Sequence, residues 1–180
     1  MRTQCTALTG CAGEHFVAYK LSAMGYIVAL TRSGSPSIDL MVASPNGKKT
    51  VTIQVKTGNT PHTTYSKKPS THHWAWQVGD KAKDCGADSL FYAFVDLKRD
   101  EQPSPSLPDK TTQLLMPDVF IVPAAVVALA YAEYQEQSQD KRTGFWFALG
   151  TEGTDLWRAT QAKPWTEYYE AWHLITEYLG

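Results

Sequence analysis

Two neighbouring segments in the first third of the chain alternate between apolar and polar side chains. Residues 50–57 change character at nearly every position and residues 37–44 do so less cleanly, and this period of two is that of a β-strand. Asn46-Gly47 lies between them and is a strong signal for a tight hairpin turn. The pattern therefore predicts an antiparallel hairpin. One face holds Ile38, Leu40, Val42, Val51, Ile53 and Val55, and the other holds Asp39, Met41, Ala43, Thr52, Gln54 and Lys56.

The register of this hairpin brings three polar side chains together. Counting outward from a two-residue turn places Asp39 opposite Gln54, and Lys56 follows two residues later on the same face. Pro45 allows a slightly longer loop, and a slip of one residue would separate the three side chains. Such a trio is either a solvated surface or a site in which a carboxylate, an amide and an ammonium group act together.

The segment Cys11–Met24 has the apolar spacing of a helix, and Gly25 is expected to end it. Val17, Leu21 and Met24, with Ala18 beside them, form its apolar stripe, and counting back places Glu14 on that stripe. A carboxylate that faces the core needs a lysine or a metal ion as partner. The alternative is that Glu14 lies in the first helical turn, where the helix dipole favours acids, and points into solvent.

Later segments predict further strands and helices around this hairpin. The elements expected from apolar runs and capping residues are strands at 89–97, 117–122 and 145–147, a short helix capped by Asp80 and ended by Gly86, and helices at 124–137 and 165–179. The last helix carries an aromatic stripe, which is typical of a core helix or one that faces a second subunit.

Composition indicates one α/β domain spanning residues 1–180. Hydrophobic residues make up 43% of the chain, no segment is long enough for a membrane span, and Met1-Arg2 does not open a signal peptide. Cys5, Cys11 and Cys85 are odd in number and lack disulfide spacing, so we expect a reducing, cytoplasmic location. Cys5, Cys11 and His15 match no common zinc spacing.

The net charge of −1 is not that of a protein that coats DNA indiscriminately, so any nucleic-acid contact must be local. The best candidate is the polar segment 57–73, expected to be a loop, together with Lys81 after it. An ordinary mobile loop is the alternative. The predicted nucleic-acid-binding residues are Lys67, Lys68, His72, His73 and Lys81.

The order of these parts resembles the PD-(D/E)XK nuclease superfamily, in its restriction-endonuclease-like and Holliday-junction-resolvase-like branches. The resemblance rests on Gly13-Glu14 in a helix, the strand at 25–28, Ile38-Asp39-Leu40, and Gln54-Val55-Lys56 as a QxK variant of the last motif. It implies a restriction-endonuclease-like α/β fold, in which a central mixed sheet is flanked by helices in an αβββαβ core.

The resemblance also implies roles for individual residues. Glu14, Asp39, Gln54 and the backbone carbonyl of Val55 would hold Mg²⁺ or Mn²⁺, and Lys56 would position the attacking water. The implied activity is metal-dependent hydrolysis of phosphodiester bonds in DNA, branched or double-stranded, by a monomer or a homodimer. Gln54 departs from the family, in which an acid is commoner, so that Glu14 must supply the missing carboxylate.

Two alternatives stay open at this point. A catalytically inactive member of the same fold would bind nucleic acid or a protein partner, and Gln54 together with the weak basicity favours it. The other is an unrelated α/β domain in which the pattern of Asp39, Gln54 and Lys56 is a coincidence, and a structure with Asp39 and Lys56 on opposite faces of the sheet would decide for it.

Overall fold

The predicted hairpin belongs to a five-stranded sheet, and the N-terminal helix packs on one face of that sheet. In the computed structural model, which describes residues 6–32, 37–59, 62–64, 72–84, 87–98, 116–137, 144–150 and 162–180, helix α1 spans Thr6–Ala23. It begins five residues earlier than predicted and ends as predicted, before Gly25, whose φ of 92° is one that glycine adopts readily. The strands that follow are β1 (Ile27–Leu30), β2 (Leu40–Ala43) and β3 (Thr50–Gly58).

The five-stranded sheet is mixed, with strand order β1-β2-β3-β6-β7. Strand β6 (Leu90–Asp96) runs parallel to β3, and β7 (Asp118–Pro123) runs antiparallel to β6. Both strands were predicted from their apolar runs. Helix α2 (Ala124–Gln137) follows β7 directly, with the bounds that the sequence predicts.

The predicted hairpin register is confirmed, but its turn is of another kind. Leu40 pairs with Ile53 and Ala43 with Thr50, as counting indicated. The amide of Gly47 donates to the carbonyl of Ser44 (2.8 Å), so Pro45 and Asn46 are the central residues of the turn. Gly47 follows with a φ of 69°. Proline favours that second position of a β-turn, and the longer loop preserves the register.

The chain between β3 and β6 contributes two strands to a second sheet, where the resemblance implied a helix. The described residues between these strands form β4 (His62–Thr64), β5 (His72–Gln77) and a 3₁₀ helix at Asp80–Asp84. Strand β4 and the first two residues of β5 lie within the segment that we expected to be a loop, 57–73. The order of this sheet is β4-β5-β8-β9, with β8 at Trp146–Gly150 and β9 at Lys163–Pro164. The alternation of Trp74 and Trp76 with polar or small residues explains the strand, because both rings pack into the core shared by the two sheets.

Two apolar cores lie on the two faces of the five-stranded sheet. Helix α1 and the C-terminal helix cover one face, where Val51, Ile53 and Val55 are buried. The second sheet and α2 cover the other face over β6 and β7. All seven residues of β6 are buried, as expected for a central strand covered on both sides. Within the described residues, no helix has the length and apolar character needed to cross a membrane.

The predicted C-terminal helix is divided into two pieces. A 3₁₀ turn at Trp165–Glu167 is followed by a bend, and α3 spans only His173–Leu179. In the bend, the carbonyl of Tyr168 accepts a hydrogen bond from Ile121 (2.9 Å), and the amide of Glu170 donates to Val119 (2.8 Å). These bonds satisfy backbone groups along the edge of β7, which a continuous helix could not do.

Helix α1 approaches β3 unusually closely at Gly13. A Cβ atom added at Gly13 would overlap the side chain of Thr57, whereas one added at Gly10 would meet nothing within 4 Å. The hydroxyl of Thr9, one helical turn earlier, lies 3.3 Å from Oδ1 of Asn59. The absence of a side chain at Gly13 thus allows the first half of α1 to rest on the end of β3.

This close approach predicts opposite effects for two glycine substitutions in one helix. We expect Gly13→Ala to lower the free energy of unfolding by about 1–3 kcal/mol, because the new methyl group overpacks against Thr57. Gly10→Ala is the matched control and should stabilise by about 0.5–1 kcal/mol, since alanine is the better helix former. Urea unfolding measures both changes. Equal effects of the two substitutions would contradict the close packing.

Candidate functional site

Strand β3 extends beyond β2, and this extension carries the predicted site. The pairing of β2 with β3 begins at Leu40 and Ile53, so β2 does not reach residues 54–58 of β3. Asp39 precedes β2, and its amide donates to the carbonyl of Ile53 (2.9 Å). The side chain of Asp39 therefore lies beside the exposed backbone edge of the extension.

The Asp39 carboxylate is held by two donors from this extension. Its Oδ2 atom accepts hydrogen bonds from the backbone amide of Val55 (2.7 Å) and from Nε2 of Gln54 (3.2 Å). Because the N–H and C=O of one strand residue point to the same side, the carbonyl of Val55 is on the Asp39 side of β3 too. The predicted convergence of Asp39 and Gln54 is thus a direct contact.

The amide oxygen of Gln54 has no hydrogen-bond partner among the described residues, although the side chain is only 5% exposed. A carboxylate only accepts hydrogen bonds, so the NH₂ group of Gln54 faces Asp39 and the oxygen faces away. Leaving a buried acceptor unsatisfied costs about 1–3 kcal/mol. A cation or a donor from a ligand would remove that cost.

Glu14 reaches the same region from α1. Its side chain is half-buried, and burial raises the pKa of its carboxyl above the usual value. The negative charge of Asp39 raises this pKa further, while His15 lowers it. The charge of Asp39 thus acts on Glu14, whose placement follows from the close approach of α1 at Gly13.

Lys56 shares a strand face with Gln54 and lines a cleft of about 350 Å³ between the end of β3 and the second sheet. Side chains two residues apart on one strand are separated by about 7 Å. Because Asp39 contacts Gln54, Asp39 and Lys56 belong to the same region, and the opposite-face arrangement that would decide for an unrelated domain is not observed.

These groups form a donor set that suits a hard divalent cation. The described residues include no group of three or more His, Cys, Asp or Glu side chains arranged to hold a metal ion. The set here is two carboxylates with the amide oxygen of Gln54 and the carbonyl of Val55, all oxygen atoms. Mg²⁺ is typically bound by one or two carboxylates and keeps several waters. Because the NH₂ group of Gln54 faces Asp39, this amide must rotate before its oxygen and the carboxylates can bind the same ion.

The predicted nucleic-acid-binding residues are only partly described. Lys67 and Lys68 lie outside the described residues, as do the side chains of His72 and Lys81. His73 is 6% exposed, so its ring is buried and does not face a surface that could contact a phosphate backbone. Alternation places His73 on the face of Ala75 and Gln77, opposite Trp74 and Trp76, so the core shared by the two sheets does not account for its burial.

Sequence reasoning missed the aromatic wall of the cleft. Trp76, Gln77 and Trp146 line it opposite Lys56. Gln77 and Trp146 are paired across β5 and β8. Both tryptophans stand in predicted or visible strand patterns, but only the tertiary pairing of distant strands brings them beside β3.

Sequence reasoning also missed a buried acid, Asp96, at the end of β6. It is 2% exposed, and burial raises the pKa of its carboxyl. It accepts hydrogen bonds from the indole of Trp74 (3.2 Å) and from the amide of Lys98 (2.9 Å), whose φ is 51°. These bonds fix the turn that ends β6, so Asp96 is a structural acid beside the second sheet.

Comparison with known proteins finds a structural likeness. No family model and no curated protein matches the chain. The structure of a bacterial homing endonuclease, I-Ssp6803I, is similar with a TM-score of 0.49 and 14% sequence identity, over 96% of this chain and 93% of that one. The proposals below rest on the geometry of the site.

The raised pKa of Glu14 predicts a stabilising substitution. An acid whose pKa is higher in the folded than in the unfolded state destabilises the fold once it is ionised. We therefore expect Glu14→Gln to raise the Tm at pH 7 in EDTA, and the difference from wild type to vanish as the pH falls below about 4, where glutamate is protonated in both states. Thermal melts across this pH range measure it, with Glu177→Gln, an exposed site on α3, as control. A lower Tm for Glu14→Gln at pH 7 would contradict the opposed-acid geometry.

Proposed function

We propose that this protein is a metal-dependent nuclease that hydrolyses phosphodiester bonds in DNA, with Glu14, Asp39, Gln54 and Lys56 as its site. The observation that carries the proposal is the fixed Asp39 carboxylate, bound by Gln54 and Val55 at the extension of β3. Glu14 lies close enough for Asp39 to raise its pKa, and Lys56 follows Gln54 on the same strand face.

Glu14, Asp39, the amide oxygen of Gln54 and the carbonyl of Val55 would hold Mg²⁺ or Mn²⁺. The ion, when bound, supplies Lewis-acid stabilisation of the phosphate and a water of lowered pKa. Asp39 is oriented before substrate arrives, because the amides of Val55 and Gln54 hold its Oδ2 atom. Such preorganisation reduces the reorganisation that a catalytic group needs during the reaction.

Lys56 supplies the positive charge that the oxygen ligands lack. Its ammonium group would contact a phosphate oxygen or the attacking water, where negative charge increases in the transition state. Its half-buried position at the cleft keeps the group near the sheet and partly shielded from solvent, which strengthens its interaction with a phosphate.

A catalytically inactive protein that binds nucleic acid is the second candidate. The observation that favours it is the Gln54 amide itself, because its NH₂ group donates to Asp39 and brings no negative charge. A site with one fewer carboxylate binds a divalent ion more weakly. Cleavage and metal titration separate the two functions.

Cleavage should depend on Lys56. We expect wild type with Mg²⁺ or Mn²⁺ to cut linear, branched or single-stranded DNA, and Lys56→Ala to lower the rate by about 10²–10³-fold, the usual cost of removing one transition-state donor. Lys48→Ala, at the exposed hairpin tip, is the matched control and should keep the wild-type rate. Gel assays on end-labelled substrates measure the rates. Equal rates for wild type and Lys56→Ala on every substrate would reject catalysis at this site.

Metal affinity should respond to position 54. We expect Gln54→Glu to tighten Mn²⁺ binding by about tenfold, because a third carboxylate joins the site. The same change should lower the Tm in EDTA, since a third acid then adds charge repulsion without a cation. Asp39→Ala should abolish binding. Calorimetric titration and melts with and without Mn²⁺ test these expectations. Absence of binding by wild type at millimolar metal, with DNA binding retained, would support the inactive candidate.

A further inference from the structure

The cleft beside Lys56 has two walls. Residues 56–59 form one wall, and Ala75, Trp76, Gln77 and Trp146 form the other. A volume of about 350 Å³ is at the small end of ligand sites, which typically occupy about 300–1,000 Å³. The cleft is therefore large enough for one small planar group and too small for a double helix.

The two tryptophans of the cleft wall differ in exposure. The indole nitrogen of Trp76 donates to the carbonyl of Val95 (3.1 Å), and its ring packs against Phe94 at a centroid distance of 5.1 Å, so Trp76 is a buried support of the wall at 3% exposure. Trp146 is paired with Gln77 across two strands and is half-buried, so part of its side chain is accessible. Trp146 therefore supplies the aromatic surface on which a base can stack.

The polar groups at the cleft match the other parts of a nucleotide. Gln77 is exposed and carries an amide with both donors and an acceptor, which can read the edge of a base. Lys56 brings a positive charge for a phosphate. The aromatic surface suits the face of a base, the amide suits the edge of the base, and the ammonium group suits the phosphate of the same nucleotide.

The position of the cleft relative to the proposed site determines which nucleotide of a substrate would bind there. Lys56 belongs to both places, since it lines the cleft and follows Gln54 by two residues on one face of β3. A nucleotide whose phosphate meets Lys56 would have its base next to the tryptophan wall. A base within a duplex is stacked between its neighbours and cannot enter, so the base must be unpaired.

We propose that the cleft between Lys56 and Trp146 binds the unpaired base of the nucleotide next to the scissile phosphate, with Trp146 stacking on the base and Gln77 contacting its edge. The substrate class is then DNA with an unpaired nucleotide at the cleavage point, such as a single strand or a junction. This inference rests on the proposed function only where it identifies the neighbouring phosphate as the one that is cleaved. Binding of the base itself requires no metal.

The test is a binding assay in EDTA, which excludes cleavage. Fluorescence anisotropy compares three labelled 12-nucleotide DNAs: oligothymidine, an abasic backbone of the same length, and a paired duplex. We expect wild type to bind oligothymidine about tenfold more tightly than either of the others, within the range that stacking on one aromatic side chain supplies. Equal affinity for the thymidine and abasic strands, or no binding of either, overturns the proposal.

Variants assign the preference to the cleft. Trp146→Leu should lower the affinity for oligothymidine about tenfold and leave the affinity for the abasic strand unchanged. Trp146→Phe should keep most of the preference for oligothymidine. Gln77→Ala, an exposed change that spares the core, should weaken oligothymidine by about threefold, the loss of one modest hydrogen bond. Tyr19→Leu removes an exposed aromatic ring from the outer face of α1 and should change nothing.

The outcomes separate this inference from the nuclease proposal. If Trp146→Leu weakens the binding of oligothymidine and of the abasic strand equally, while its melting curve matches wild type, base stacking in the cleft is overturned even if metal-dependent cleavage is found. If Trp146→Leu does not fold, Gln77→Ala decides in its place by the same comparison. A base preference that depends on Trp146 would stand even if no metal supports cleavage, and only the nuclease proposal would then fail.

Discussion

The contact between Gly13 of α1 and Thr57 of β3 is the constraint on which the candidate site depends. A helix and a strand normally keep their side chains between them, but here Gly13 has none, and the helix backbone rests against the strand. Glu14 is the next residue, so the same contact brings its carboxylate to the extension of β3 and removes part of its hydration. A larger residue at position 13 would move Glu14 away from Asp39 as it relieved the clash.

The site combines features that cost stability. Burial and the charge of Asp39 disfavour the ionisation of Glu14, and the amide oxygen of Gln54 is buried without a partner among the described residues. The fold offsets part of this cost through the amides that bind Asp39 and through the apolar contacts of Val51, Ile53 and Val55 on the opposite face of β3. Unfavourable polar groups held in place by a well-packed strand are typical of functional sites.

Several local features of the fold could be predicted because they depend on neighbouring residues. The hairpin register follows from alternation, and it survived a turn of another kind because Pro45 and Asn46 lengthen the loop without changing the pairing. The end of α1 at Gly25 and the bounds of α2 follow from capping and apolar spacing. The second sheet and the break before α3 were missed, since both satisfy backbone groups of strands far away in sequence.

The sequence by itself determined which side chains share a face of the β2–β3 hairpin, and therefore that Asp39 meets Gln54 and that Lys56 lies beyond it. This information is local, because strand periodicity and the turn fix it. Only the tertiary structure decided that Glu14 reaches Asp39, that His73 is buried and that Trp146 lies across a cleft from Lys56. Those placements depend on how α1, β5 and β8 pack against β3, and packing between distant segments is set by shape and burial, which no short pattern of residues records.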